Sequence, residues 1–247
     1  MLTAIGQGEM PKTHSGERAA AEWVVNMSTV LFDPIKAQSK VTDTVLVGFS
    51  GGKDSIVTMD LCFKYFKHVQ PFFLYICPNL SFQESMLRWY EQKYNTEIIR
   101  LPHFEVSNFM RYGSFRESDE TIPIVSVTDV YNYLRQKTGI WWIASGERIN
   151  DSIIRRAMIK STGSVDEKRG RFYPVAYWNK KEVVDYIKYQ KLKRGVDSKK
   201  LGHSFKCLSG EELLFVKENY PEDWEKILSL YPYAGAAVER LIRYGTQ

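Results

Sequence analysis

The sequence predicts an α/β fold: a doubly wound, mainly parallel sheet with helices on both faces, followed by a C-terminal helical tail. Three observations predict it. Short apolar runs of strand length alternate with stretches of helical periodicity as far as Ile187, the pattern of a parallel sheet covered on both sides. The first run, Val45-Leu46-Val47, passes directly into a glycine-rich turn and then a helix. From Gly210 to Gln247 the pattern is aromatic and helical, broken by Pro221 and Pro232, and too short for a core of its own.

The elements follow in order. Ala21, Val24, Val25, Leu31 and Phe32 recur at helical spacing and predict a helix over Glu17–Gln38. Thr44–Phe49 is the first strand and Ile56–Phe66 the helix after it. Pro71–Ile76 is a second buried strand, interrupted at Cys77-Pro78-Asn79 and followed by a helix over Phe82–Tyr94. Thr96–Leu101 is a third strand, Asp129–Gln136 a helix, and Ile140–Ala144 a fourth strand. Arg148–Lys160 is expected to be wholly or partly helical. Phe172–Val175 is a fifth strand, leading into a helix over Lys180–Lys191, for which Asn179 and Glu182 supply a capping box. The expected organisation is an N-terminal helical segment over residues 1–40, an α/β domain built around the glycine-rich turn over 41–195, and a basic, helical tail over 196–247.

Composition sets limits. The 247 residues are 44% apolar and 26% charged, as in ordinary globular proteins. No run of about 18 apolar residues occurs, and the N-terminal stretch lacks the apolar core of a signal peptide, so the expected location is cytoplasmic with no membrane contact. Cys62, Cys77 and Cys207 are far apart, which argues against a disulfide framework or a cysteine-rich metal site. The net charge of +5 is unevenly placed: Asp151–Lys206 holds 15 Lys and Arg against 6 Asp and Glu. That asymmetry fits a polyanionic partner and equally fits a solvated lysine-rich face.

The chemistry concentrates at Phe49-Ser50-Gly51-Gly52-Lys53-Asp54-Ser55. Two glycines let the chain turn tightly so that consecutive amides converge on an anion. The following helix adds its free N–H groups and positive dipole end. Ser50 and Ser55 offer hydroxyls, and Lys53 a mobile charge. The mononucleotide P-loop spacing and the G-x-G-x-x-G fingerprint are both absent. In an open parallel sheet such a turn meets the ends of neighbouring strands, here Ile76 and the segment Gly146-Glu147-Arg148. Arg148 is a candidate phosphate fork. Arg155, about two helical turns on, would share its face if the segment is helical, and Asp151 is placed to orient an arginine or to join a magnesium shell through water. The Asn179 segment is structural.

Ser50-Gly51-Gly52-Lys53-Asp54-Ser55 resembles the S-G-G-x-D-S signature of the PP-loop ATP pyrophosphatases. Gly146–Arg155 and Pro174–Ile187 are similar to the second and third motifs of the phosphoadenosine-phosphosulfate reductase-like branch. The resemblance covers roughly Val45 to Ile187 and implies an adenine nucleotide alpha hydrolase-like fold. It implies ATP and Mg2+ as cofactors and cleavage of ATP to AMP and pyrophosphate, which activates an anionic substrate for sulfur transfer. DNA phosphorothioate modification is the first choice of pathway. A sulfate adenylyltransferase small subunit, a sulfonucleotide reductase and a non-catalytic nucleotide-gated regulatory module are the alternatives. The Glu-Cys-Gly-x-His nucleophile of the reductases does not occur in this sequence, and Cys77-Pro78-Asn79 replaces the usual Asp-Thr-Gly. By the same resemblance Lys53, Asp54 and Arg148 are the catalytic set. Phe49–Ser55, Ile76, Gly146, Arg148, Asp151 and Arg155 would hold ATP, with adenine near Phe49 and Ile76 and magnesium reached from Asp54 through water. No strong base is needed if the acceptor is already an anion. DNA, a cysteine desulfurase, other sulfur-transfer proteins and a second copy of the chain are the partners considered. Cys207 is read either as a persulfide carrier or as an incidental buried thiol.

Overall fold

The computed structural model describes residues 29–245. The part of the first expected helix that precedes residue 29 lies outside them. Thr29–Phe32 is a 3-10 turn that runs into α1 (Asp33–Val41), with Pro34 in its first turn, where a missing N–H costs nothing.

The sheet is built from β1 (Thr44–Gly48), β2 (His68–Tyr75), β3 (Ile99–Pro102), β4 (Ile143–Ala144), β5 (Val165–Asp166) and β6 (Arg171–Phe172), in the order β3-β2-β1-β4-β6-β5. All neighbouring pairs are parallel except β5 with β6, which form a small antiparallel hairpin. β1 therefore has β2 on one side and β4 on the other. The chain leaves β1 in one direction across the sheet and returns on the other side, so the order reverses there. That reversal opens a crevice beyond the carboxyl ends of β1 and β4.

Helices α2 (Lys53–Tyr65), α3 (Ser81–Tyr94), α4 (Phe104–Tyr112), α5 (Val127–Thr138), α6 (Ile153–Thr162) and α7 (Lys180–Tyr189) connect the strands or follow them. The main core lies between β1, α2, α3 and α7 and contains Val45, Val47, Ile56, Met59, Leu87, Tyr90, Trp178 and Val183. A buried polar knot ties its helices: Asp60 accepts from the hydroxyls of Tyr94 at 2.5 Å and Tyr186 at 2.7 Å and pairs with Lys64 at 2.7 Å. Asn179 and Glu182 form the expected capping box on α7.

Beyond α7 come the short α8 (Val196–Lys200) and three further helices, α9 (Gly210–Asn219), α10 (Pro221–Leu230) and α11 (Gly235–Tyr244). These do not simply lie on the domain. Leu213, Val216, Trp224, Ile227, Tyr231 and Val238 form a second core, and they recruit Ile76, Cys77, Leu80 and Phe82 from the β2–α3 connection. The Tyr231 hydroxyl donates to the Ile76 carbonyl at 3.0 Å. Asp223 accepts from both the amide and the hydroxyl of Ser81 at 2.7 Å. Leu80, at the cap position of α3, has no side-chain acceptor, so a carboxylate from α10 caps a helix that begins 142 residues earlier. Burial opposes ionisation of Asp223, but Lys226 and the two Ser81 bonds outweigh it and hold the carboxyl below its usual range. Among the described residues no helix is long and apolar enough to cross a membrane.

Candidate functional site

A cleft of about 590 Å³ opens at the reversal in strand order, within the volume range of small-molecule sites. The turn 49–52 forms its floor. Gly51 takes φ +73°, a left-handed backbone that favours glycine, and the end of the Met86 side chain lies where a Cβ would stand. The two serine hydroxyls are used inside the turn. Ser55 Oγ accepts from the Ser50 amide at 3.1 Å and donates to the Gly52 carbonyl at 2.9 Å, and Ser50 Oγ lies 3.2 Å from it. They hold the loop's shape and do not point outward as donors. Gly52 caps α2 without a side chain, which leaves the first amides of that helix facing the cleft as an anion site.

A chain of alternating charges runs beside the loop. Lys53 Nζ is 2.6 Å from Asp54 Oδ2, and Arg148 Nε is 2.8 Å from Asp54 Oδ1. That last N–H is poorly aligned, so the contact is an ion pair without a directed hydrogen bond. Arg148 also donates to Asp151 Oδ1 at 2.7 Å, and its amide donates to Asp151 Oδ2 at 2.9 Å. Arg155 approaches the same carboxylate at 3.8 Å. Arg148 is buried and the cleft is lined by Asp54, Asp151 and Arg155, with Arg148 behind them. Its guanidinium is thus committed to two carboxylates and does not extend as a clamp.

The segment expected to be wholly or partly helical is helical from Ile153, where Ser152 caps it by accepting from the Arg155 amide. The structure corrects two other expectations here. Arg148 and Arg155 do not share a helix face, and Asp151 joins them instead. Ile76 belongs to the second core and does not line the cleft, since the tail helices claim its side chain. Asp54 is engaged by Lys53 and Arg148, so a magnesium ion here would be reached through water and held mainly by phosphate oxygens of the nucleotide. Among the described residues no group of three or more His, Cys, Asp or Glu is placed to hold a metal.

Of the residues expected to hold ATP, Phe49, Ser50, Gly52, Lys53, Asp54, Ser55, Gly146, Asp151 and Arg155 line the cleft. Gly51, within the same turn, does not line it. Gly146 is where the end of β4 meets α2: a Cβ there would stand 2.9 Å from both the Asp54 carbonyl carbon and the Ser55 amide.

Other lining residues carried no motif. Arg171 donates to Glu147 at 2.7 Å and Ser145 at 3.2 Å and lies over the Tyr131 and Tyr173 rings at 5.4 Å. Burial weakens its charge, but Tyr131, Glu147 and Tyr173 together raise its pKa above the ordinary value. Phe72, Phe104 and Tyr131 make an apolar wall, and His103 stands beside it, its pKa lowered by burial against the pull of Glu105. Ser198 and the strap 202–206 also line the cleft. Cys207 adjoins that strap; burial first, then Glu212, raises its thiol pKa, opposite to what a reactive thiolate needs.

Fold and loop together define a nucleotide-binding α/β protein of the PP-loop type. Residues 44–194, well over half of the chain, match the phosphoadenosine phosphosulfate reductase domain, and the chain belongs to this family. The fold is similar to that of a phosphoadenylyl-sulfate reductase from Candida auris in a phosphate complex (16% identity, 80% of this chain and 95% of that one, TM-score 0.48). It is similar to an NH3-dependent NAD synthetase from Campylobacter jejuni in complex with nitrate (15%, 95% and 98%, TM-score 0.46). A tRNA thiolase, NcsA, from Methanococcus maripaludis with its 4Fe–4S cluster is also similar (16%, 87% and 79%, TM-score 0.43). A comparison with curated proteins finds no match.

Proposed function

We propose that the protein is an ATP pyrophosphatase that splits ATP between the α and β phosphates and so activates an anionic substrate for sulfur transfer. DNA phosphorothioate modification is the first pathway to test. One observation carries this reading: the first amides of α2, capped by a glycine with no side chain, face a cleft at the reversal in strand order, with Lys53 beside them. Preorganised amides and a cation stabilise charge that builds on a departing pyrophosphate. Asp54 holds Lys53 at the cleft, and Arg148 positions both through its ion pair with Asp54. Arg155, at the cleft wall, is placed to meet an anionic acceptor. Helix α6 supports a polyanionic partner: it carries exposed Arg155, Arg156 and Lys160, has no acidic residue, and buries only Ile159.

The test is incubation with ATP labelled at the α-phosphate, with and without DNA. AMP and pyrophosphate are expected; ADP and phosphate would refute the reading. Lys53→Ala, with its circular dichroism unchanged, is expected to lose nearly all pyrophosphate release. The family match favours a sulfonucleotide enzyme as the second reading, and sulfate-dependent exchange of pyrophosphate into ATP separates the two.

A further inference from the structure

Glu212, in the first turn of α9, is fully buried. Ser209 caps this helix by accepting from the Glu212 amide at 3.3 Å. A Ser-x-x-Glu spacing ordinarily returns the glutamate carboxylate to the cap amide, but here it turns the other way. Oε2 accepts the Cys207 amide at 2.8 Å, and Oε1 lies 3.3 Å from Nδ1 of His203. Oε1 has no directed hydrogen bond among the described residues. A buried carboxylate oxygen left in this state is costly, and Nδ1 of the neighbouring imidazole is the ring atom within reach of it.

His203 lines the cleft, and its side chain is 41% exposed. Its Nδ1 faces inward, toward Glu212 and the Ser204 carbonyl 3.1 Å away, which leaves Nε2 as the ring nitrogen for the cleft. The strap is laid against the phosphate loop: a Cβ on Gly52 would stand 3.5 Å from Ser204 Oγ. An imidazole oriented by a buried carboxylate, on the wall of a site with a phosphate loop, has the arrangement of a proton acceptor.

We propose that His203, positioned by Glu212, is the general base for the group that attacks the α-phosphorus of ATP, a role that rests on the pyrophosphatase reading. The attacking atom forms a bond to the α-phosphorus as the bond from that phosphorus to the bridging oxygen breaks. The electron pair of that bond leaves with pyrophosphate. The proton of the attacking group passes to Nε2, and Glu212 balances the imidazolium until the exposed ring returns the proton to water. The acceptor in this step therefore reacts through a hydroxyl, amino or thiol group with its negative charge elsewhere on the molecule, and a phosphodiester oxygen of DNA, which has no proton to give, would react without this base.

The test uses the full chain, α-labelled ATP, and water or hydroxylamine as the attacking probe. His203→Ala is expected to slow pyrophosphate release by about 10²–10⁴-fold, with ATP affinity in equilibrium binding unchanged. Imidazole in solution restores part of the rate in this variant and does not stimulate the wild type; His203→Gln replaces it if the alanine variant folds poorly. Glu212→Gln keeps an acceptor for the Cys207 amide and is expected to lower kcat roughly tenfold with KM for ATP unchanged. A histidine variant as fast as the wild type, or slow but indifferent to imidazole, overturns the base. Wild-type protein that yields ADP and phosphate, or no cleavage with either probe, overturns the pyrophosphatase reading instead.

Discussion

At Gly146 the fold leaves no room for a side chain, since the atoms that a Cβ would meet are backbone of residues 54 and 55. Gly146→Ala must therefore push the first turn of α2 away from β4. Overpacking of this kind costs about 1–3 kcal/mol, which thermal melting would register. A shift of the loop by about 1 Å is expected to cost on the order of 10²-fold in pyrophosphate release, so activity falls further than stability. Residues like this one were half legible. The spacing of Ser50–Ser55 identified the loop because a phosphate cradle needs consecutive residues. Gly146 and Arg148 followed from their place just past a strand. Arg171 and His203 left no such trace, because they reach the cleft from a two-residue strand and from a strap after α8, and no sequence spacing relates either to residue 50. The outward role given to the Ser55 hydroxyl failed for a local reason, as that oxygen closes its own turn.

Helix α4 begins at His103, whose Nδ1 accepts from the Glu105 amide at 3.3 Å. Burial favours the neutral ring, which is the form that can accept. Its folded pKa lies below the unfolded value of about 6.5, so in acid the unfolded chain binds a proton that the folded chain resists. Stability from this group is full above about pH 6.5 and declines as the pH falls from there toward the folded pKa. His103→Asn retains a cap acceptor and removes the titration. The melting temperature of the wild type should therefore fall more between pH 7.5 and 5.5 than that of the variant. Helix α4 itself escaped the sequence reading, since it is nine residues long and buries no residue fully, its Val106, Phe109 and Met110 packing only partly buried against the second core. Strands β1 and β2 and helices α2, α3 and α7 were legible because each puts a continuous apolar face into the main core.

On the scale of the whole chain, α3 belongs to both cores. Phe82 near its start packs with the tail helices, while Met86, Leu87 and Tyr90 pack under the sheet. The cap from Asp223 fastens the same end. Asp223→Ala is expected to cost about 1–2 kcal/mol and to lower the midpoint by roughly 2–8 °C. Calorimetry should show one transition displaced as a unit, and two separated transitions would show that the cores melt independently. The tail was readable as helices but not as a core, because that core is completed by Ile76, Cys77, Leu80 and Phe82, which the sequence assigns to a strand end, a turn and a helix start. The rims of the sheet carry a different consequence. One border strand, β3, is four residues long, ends in Pro102, and has Arg100 tied to Glu84 and Glu91; the other, β5, is two residues long. Neither border presents a length of unpaired backbone on which a foreign strand could template itself. Among the described residues, the sheet is therefore guarded at both rims against the lateral stacking from which fibrils grow.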